Sequence, residues 1–285
     1  MAATPPLLPT MPDIKIIALD LDGTLLNSRK ELTEGCLTAL ERAAAKGIEI
    51  VPTTGRFFGG MPQIIRELPF LHYAITINGA QVYDIRSDRA VSKTEIPWQR
   101  AIEIMEYLDT LPVLYDCFMD NWGWMSRDLW ERVEEYTDNP HYIRMLRELR
   151  KPVPELKAYL AELRHDIQKT QFFTRDAALR QRLLKELPAM LPDIAVTTSV
   201  SDNVELNHIN AHKGAAIRQL AEYLGVSVSS VMACGDGLND VSMLREAGLG
   251  VAMANACDEV KAVADVITES CDEDGVARAI ERFCL

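Results

Sequence analysis

Basic charge is scarce in this chain. Its 285 residues carry 30 Lys and Arg against 42 Asp and Glu, a formal net charge of −12. A general nucleic-acid or anionic-membrane binder needs Lys and Arg in command of one face. Neither partner is therefore expected, and any bound phosphate has to be held locally, with the help of a metal. Paired cysteines are missing too. Cys36, Cys117, Cys234, Cys257, Cys271 and Cys284 are scattered, and none stands in the C-x-x-C spacing that suggests zinc or dithiol chemistry, so they read as ordinary reduced thiols. No run approaches the roughly 20 apolar residues that span a bilayer. Residues 1–12 lack the basic start and unbroken apolar stretch of a secretory signal, and their four prolines read as a flexible arm. The expected location is cytoplasmic. No internal repeat or low-complexity tract stands out.

What is present is a 48% hydrophobic content, enough for one large domain with an insertion or for two domains. The apolar run 14–19 suits a buried parallel strand, and 33–46 follows with helical spacing that Gly47 ends. A strand over 48–52, a turn at 54–56, a helix over 63–68 and a third strand over 73–77 complete a βαβαβ pattern, hence a parallel sheet with right-handed crossovers. After Asn78-Gly79-Ala80 the pattern changes. Hairpin strands are expected over 81–83 and 90–96, a helix over 98–108, and strands over 113–119 and 122–126. Helical segments over 128–163 break near 139–140 and 152–154. Strand 168–174, helix 177–186 and strands 194–199 and 204–206 follow. From Lys213 the alternation returns, with helix 213–224, strand 230–234, helix 239–247, strand 249–252 and a last helix over 276–283. This describes an α/β core, 13–83 and 207–285, interrupted by an α+β insertion, 84–206.

Four segments at strand ends or helix starts carry polar residues suited to phosphate and metal. Asp20-Leu21-Asp22-Gly23-Thr24 places two acids where an open α/β sheet binds its ligand, at the carboxyl end of a strand. Thr53-Thr54-Gly55-Arg56 supplies a hydroxyl and backbone N–H groups that can hold phosphate oxygens. Lys213-Gly214 puts a cation near a helix start. Gly235-Asp236-Gly237-Leu238-Asn239-Asp240 is a flexible turn with two acids and an amide, directly after an apolar strand. Each segment alone also reads as a turn, a cap or a solvated side chain. Their consistent order at equivalent strand ends makes coincidence a poor explanation.

With these motifs the chain, from Asp13 onward, resembles the haloacid dehalogenase-like hydrolases, and specifically their Cof-type phosphatases with a large α/β cap. Asn78-Gly79-Ala80 fits the same pattern, while Phe57 stands where members often have Pro. The resemblance implies a Rossmann-like parallel-sheet core with an inserted cap domain. It also implies a Mg²⁺-dependent phosphatase acting on phosphate monoesters of small metabolites, sugar phosphates first among them. Mg²⁺ would be held by Asp20, Asp236, the backbone carbonyl of Asp22, and Asp240 directly or through water. Asp20 would be the nucleophile and Asp22 the proton shuttle. Thr54 and Lys213 would stabilise the reacting group, with Leu21, Gly55 and Asn239 as further phosphate ligands. A phosphomutase of the phosphomannomutase type and a non-catalytic phosphate-binding regulator are the alternative readings. In the insertion, Asp120-Asn121-Trp122-Gly123-Trp124 suits a sugar ring, although cap packing is the commoner use of two such tryptophans. His208 and His212 are assigned to no metal, since the acidic oxygens already suit Mg²⁺.

Overall fold

The computed structural model describes residues 13–198 and 202–285. The expected arm over 1–12 and the end of the strand expected over 194–199 lie outside the described residues. In chain order the strands are β1 Ile16–Leu19, β2 Glu49–Pro52, β3 Tyr73–Thr76, β4 Gln81–Asp84, β5 Arg89–Lys93, β6 Leu114–Met119 and β7 Trp122–Ser126. They continue as β8 Arg150–Val153, β9 Lys169–Phe173, β10 Ile194–Thr197, β11 Asn203–His208, β12 Val231–Gly235, β13 Leu249–Ala252 and β14 Val266–Ile267. The chain divides into two compact units. One comprises the residues through Pro52, Pro69–His72 and Ile217–Leu285; the other comprises Thr53–Leu68 and Tyr73–Ala216.

The first unit holds a parallel sheet in the order β14-β13-β12-β1-β2. All four residues of β1 are buried, as expected of a parallel strand covered on both faces. Leu19 lies beside Cys234 on one side and Pro52 on the other. These three strands therefore deliver their carboxyl ends at one level. The helix Glu34–Ala45 starts where Thr33 Oγ1 accepts a hydrogen bond from Cys36 N at 3.2 Å. It buries Cys36, Ala39, Leu40 and Ala43, one stripe at helical spacing, and packs against the helix Gly275–Phe283.

The second unit holds a six-stranded sheet in the order β10-β11-β9-β6-β7-β8 and a three-stranded sheet, β3-β4-β5. One face of the larger sheet, with Phe172, Val204 and Leu206, forms a core with Ile104, Met105, Leu160 and Leu183 from the helices Trp98–Leu108, Leu156–Leu163 and Ala177–Met190. At one end of the opposite face Leu114, Met125 and Phe173 pack with Val133 and Leu146. Elsewhere that face is polar and buried, with Asp116, Lys169, Gln171, Glu205 and Asn207.

The parallel core and the added antiparallel sheet agree with the sequence reading, and three local expectations are corrected. The third strand, β3, forms its ladder with β4, antiparallel, and meets the preceding segment at the isolated parallel bridge Thr53↔Ile75, with a second bridge, Ile50↔Leu71, just before it. A tight turn with positive φ at Ile77, Asn78 and Gly79 folds the chain back after β3. Residues 150–153, read as part of a helical stretch that breaks near 152–154, form β8, parallel to β7; it is an edge strand, where the missing N–H of Pro152 costs little. The helix expected over 239–247 is Val241–Glu246, preceded by the single 3₁₀ turn Leu238–Asp240. The second compact unit takes in 53–68, 73–83 and 207–216 besides the expected insertion 84–206, because β4 carries β3 with it and β11 completes the six-stranded sheet. Among the described residues no helix is long and apolar enough to cross a membrane, and all six cysteines are free thiols.

Candidate active site

In the first unit, β1 and β12 set the site. Asp20 N donates to Cys234 O at 3.0 Å, so Asp20 leaves β1 still fastened to β12. The segment then closes on itself: Leu25 N donates to Asp20 O at 3.2 Å and Leu26 N to Leu21 O at 2.8 Å. Gly23 is required twice over. Its φ is +95°, and a Cβ there would lie 2.5 Å from Asp236 Oδ2. Thr24 Oγ1 donates to Asp236 Oδ1 at 2.6 Å, which ties the first acidic motif to the fourth.

Asp240 is fully buried, and its Oδ2 accepts from Asp236 N at 2.9 Å and from Gly237 N at 2.8 Å. At Gly235 a Cβ would meet Asp240 Cβ at 2.5 Å, so this glycine lets the carboxylate fold back under its own turn. Carboxylate oxygens of Asp20, Asp236 and Asp240 all lie within 4.8 Å of one another. Three ionised groups at that spacing repel by something on the order of 3–4 kcal/mol per pair at an effective dielectric near 20. Hard oxygen donors in this number fit a small divalent cation such as Mg²⁺, which removes the repulsion.

Asp22 stands outside this trio. Its carboxylate pairs with Lys30 Nζ at 3.0 Å. Leu21 is buried within the turn, and the side chain of Asn239 folds back so closely that a Cβ on Gly237 would lie 2.7 Å from its Oδ1. Asn255 was not singled out in the sequence. Its Nδ2 donates to Gly23 O at 2.8 Å and its Oδ1 accepts from Cys271 N at 2.9 Å, so it braces the acidic turn from behind. A signal was available, since Asn255 follows an apolar strand, as Asp20 and Asp236 do.

The other two motifs belong to the second unit. Thr54 is buried; its N donates to Ile75 O at 2.8 Å, its O accepts from Asn78 N at 3.0 Å, and its Oγ1 accepts from Arg56 N at 3.2 Å. Gly55 lies against Asn78, whose Oδ1 would be 2.8 Å from an added Cβ. Phe57 has φ −77°, a value proline also adopts, so the departure from Pro leaves the backbone unchanged. What changes is the side chain: the ring packs on Phe118, centroids 5.6 Å apart. Lys213 opens the helix Lys213–Leu224 and is fully buried, a position that lysine keeps only with partners for its charge. A Cβ on Gly79 would lie 2.8 Å from Lys213 N and 2.4 Å from His212 O. His212 Nδ1 accepts from Ala215 N at 3.1 Å and so serves the helix start.

The two tryptophans part company. Trp124 is half-buried against the sheet core and stacks near Tyr159, centroids 5.2 Å apart. Trp122 is 39% exposed, with Lys151 Nζ 4.2 Å from its ring centroid. Their hairpin turns through Asp120 and Asn121, both with positive φ, and Gln81 Nε2 fastens Asn121 Oδ1 at 2.9 Å.

Residues 17–280 match the family model for haloacid dehalogenase-like hydrolases. The chain is 32% identical over 279 residues to a 5-amino-6-(5-phospho-D-ribitylamino)uracil phosphatase of Bacillus subtilis, covering 96% of this chain and 97% of the relative. It is 30% identical over 275 residues to a pyridoxal phosphate phosphatase of Escherichia coli, covering 93% and 97% respectively. Among solved structures, a haloacid dehalogenase-like hydrolase from B. subtilis superposes with a TM-score of 0.77 at 30% identity, over 94% of this chain and 99% of that one.

Proposed function

This chain belongs to the haloacid dehalogenase-like hydrolases and is, like its relatives, a phosphoric monoester hydrolase; we propose that it depends on Mg²⁺ and hydrolyses small phosphorylated metabolites, sugar phosphates first among them. The observation that carries this reading is the trio Asp20, Asp236 and Asp240, gathered at the ends of adjacent parallel strands. Their side chains would hold the ion together with the backbone carbonyl of Asp22. Bound there, Mg²⁺ supplies positive charge that offsets the phosphoryl oxygens and allows a carboxylate to approach a dianion.

In the proposed reaction an Asp20 oxygen forms a bond to phosphorus as the ester P–O bond breaks. Asp22 gives its proton to the departing alkoxide, then takes one from the water that attacks the phosphorylated Asp20. Phosphate leaves, and Asp20 returns to its carboxylate form. For Asp22 to serve, its carboxylate has to exchange Lys30 for the leaving oxygen. Thr54, the N–H groups of Leu21 and Gly55, Lys213 and Asn239 keep the phosphate-binding roles expected from their motifs.

Two features support a polyol or sugar phosphate. The ribityl phosphatase of B. subtilis is a relative over nearly its whole length, and Trp122 offers a partly exposed ring suited to a sugar face. Six free thiols suit a reducing compartment and thus the cytoplasm. The test is a phosphate-release screen over sugar phosphates, nucleotides and cofactor phosphates. We expect release that needs Mg²⁺, is greatest for sugar or polyol phosphates, and is lost in Asp20→Asn. Inert parent protein, or an Asp20→Asn variant that works as well as the parent, would contradict the reading.

A further inference from the structure

Lys169 and Glu205 form an ion pair at 3.1 Å inside the second unit, with side chains only 3% and 6% exposed. They sit on neighbouring strands, β9 and β11, and face the polar side of the six-stranded sheet. Burying such a pair is costly, and apolar residues of similar volume fill the same space as well or better. The sheet alone therefore gives no reason for it.

The contacts beyond the pair supply one. Lys169 Nζ reaches Gly55 O at 3.4 Å, and Glu205 Oε2 accepts from Asn78 Nδ2 at 2.7 Å. Asn78 N in turn donates to Thr54 O at 3.0 Å, and Ile77 N donates to Arg56 O at 3.0 Å. Ile77, Asn78 and Gly79 have φ of 53°, 58° and 94°, and a β-branched residue in that region is held there by its surroundings, at a cost. Two consecutive carbonyls of the phosphate turn, Thr54 O and Gly55 O, are thus held by donors that the ion pair fixes. A trans peptide is planar, with C=O and N–H pointing in opposite directions. Fastening Thr54 O to Asn78 therefore aims Gly55 N–H the other way, and Gly55 N–H is the donor assigned to the phosphoryl group. Phe57 on Phe118 adds an apolar anchor to the same sheet, and Lys169 Nζ lies 4.5 Å from the centroid of that Phe118 ring.

We propose that Lys169 and Glu205 are positioning residues for phosphate binding, acting through Gly55 O and through Asn78 on the Thr54–Gly55 turn. The proposal rests on the phosphatase reading. Exchanging both partners for apolar residues, Lys169→Met with Glu205→Leu, leaves no buried charge unpaired and preserves volume. Asn78→Gly is the second variant: glycine tolerates the left-handed backbone, so the turn keeps its path while Glu205 loses its hold on it. For both, we expect melting close to that of the parent and kcat/KM lower by about 10- to 100-fold, the scale of an ångström-sized misplacement. Inhibition by inorganic phosphate should weaken in parallel, and amide hydrogen exchange should quicken in peptides covering 53–58. If the double variant fails to fold, Asn78→Gly decides. A folded variant with the parent's kcat/KM, phosphate inhibition and exchange at 53–58 would overturn the proposal alone. A parent that releases no phosphate from any monoester would overturn it together with the reading beneath it.

Discussion

Thr24 shows how much a single hydroxyl can carry at this site. Its hydrogen bond to Asp236 Oδ1 fixes one carboxylate of the trio from a residue that is not itself in the trio. Groups that orient metal ligands in this way commonly govern affinity, and their loss costs about 10- to 100-fold in metal binding. Thr24→Val preserves shape and removes the donor. We therefore expect the Mg²⁺ concentration for half-maximal phosphate release to rise by about that factor, while the melting temperature in chelator stays near that of the parent. An unchanged Mg²⁺ requirement would show that Asp236 needs no such support. At this scale Asp20 and Asp236 were legible because each directly follows an apolar strand, and Asp240 because it closes the turn that Asp236 opens. Thr24 was read only as part of a turn, since its partner is 212 residues away, and a hydrogen bond across that separation leaves no trace in local spacing.

Among the elements, β8 is the one whose character the sequence conceals. Pro152 argues against a strand in the middle of a sheet but not at its edge, and edge placement is a property of the assembled sheet. What docks β8 is the guanidinium of Arg150, whose Nε lies 2.5 Å from Asp116 Oδ2 on β6. Gly123 on the intervening β7 makes room, since a Cβ there would lie 2.2 Å from Arg150 Cδ. Asp116 is fully buried, and its Oδ1 has no hydrogen-bond partner among the described residues, so the charge depends heavily on Arg150. Arg150→Met should cost about 3–5 kcal/mol by leaving a buried carboxylate without its cation. Adding Asp116→Leu should recover most of that loss in denaturant unfolding, whereas a double variant no more stable than the single would contradict this account. Helices and strands with strong periodicity, such as Trp98–Leu108 and Lys213–Leu224, were readable to the residue because their ends carry their own signals. β3 was read as a strand but given the wrong ladder, because pairing is decided by the left-handed turn at 77–79, and an Ile at positive φ announces nothing in sequence.

Across the whole molecule, the acidic balance that opened the reading has a local counterpart: three of the chain's 42 acids converge within 4.8 Å. The parallel order β13-β12-β1-β2 brings this about by ending β1 and β12 side by side. Thr54, Gly55 and Lys213 belong to the other compact unit. The phosphate-binding roles expected of them come from motif order alone. Substrate choice was the least legible property: Trp122, which we propose meets a sugar face, owes its partial exposure to the way the sheet folds.

The most direct test follows the phosphoryl group itself. Asp22→Asn, which should accumulate the covalent species by slowing its hydrolysis, is mixed with a labelled phosphate monoester in Mg²⁺, quenched in acid and digested. The label should appear on the peptide containing Asp20, and should be absent in chelator and in the Asp20→Asn, Asp22→Asn double variant. Label on any other residue, or Mg²⁺-dependent turnover by Asp20→Asn at the rate of the parent, would contradict the central claim that Asp20 is the nucleophile.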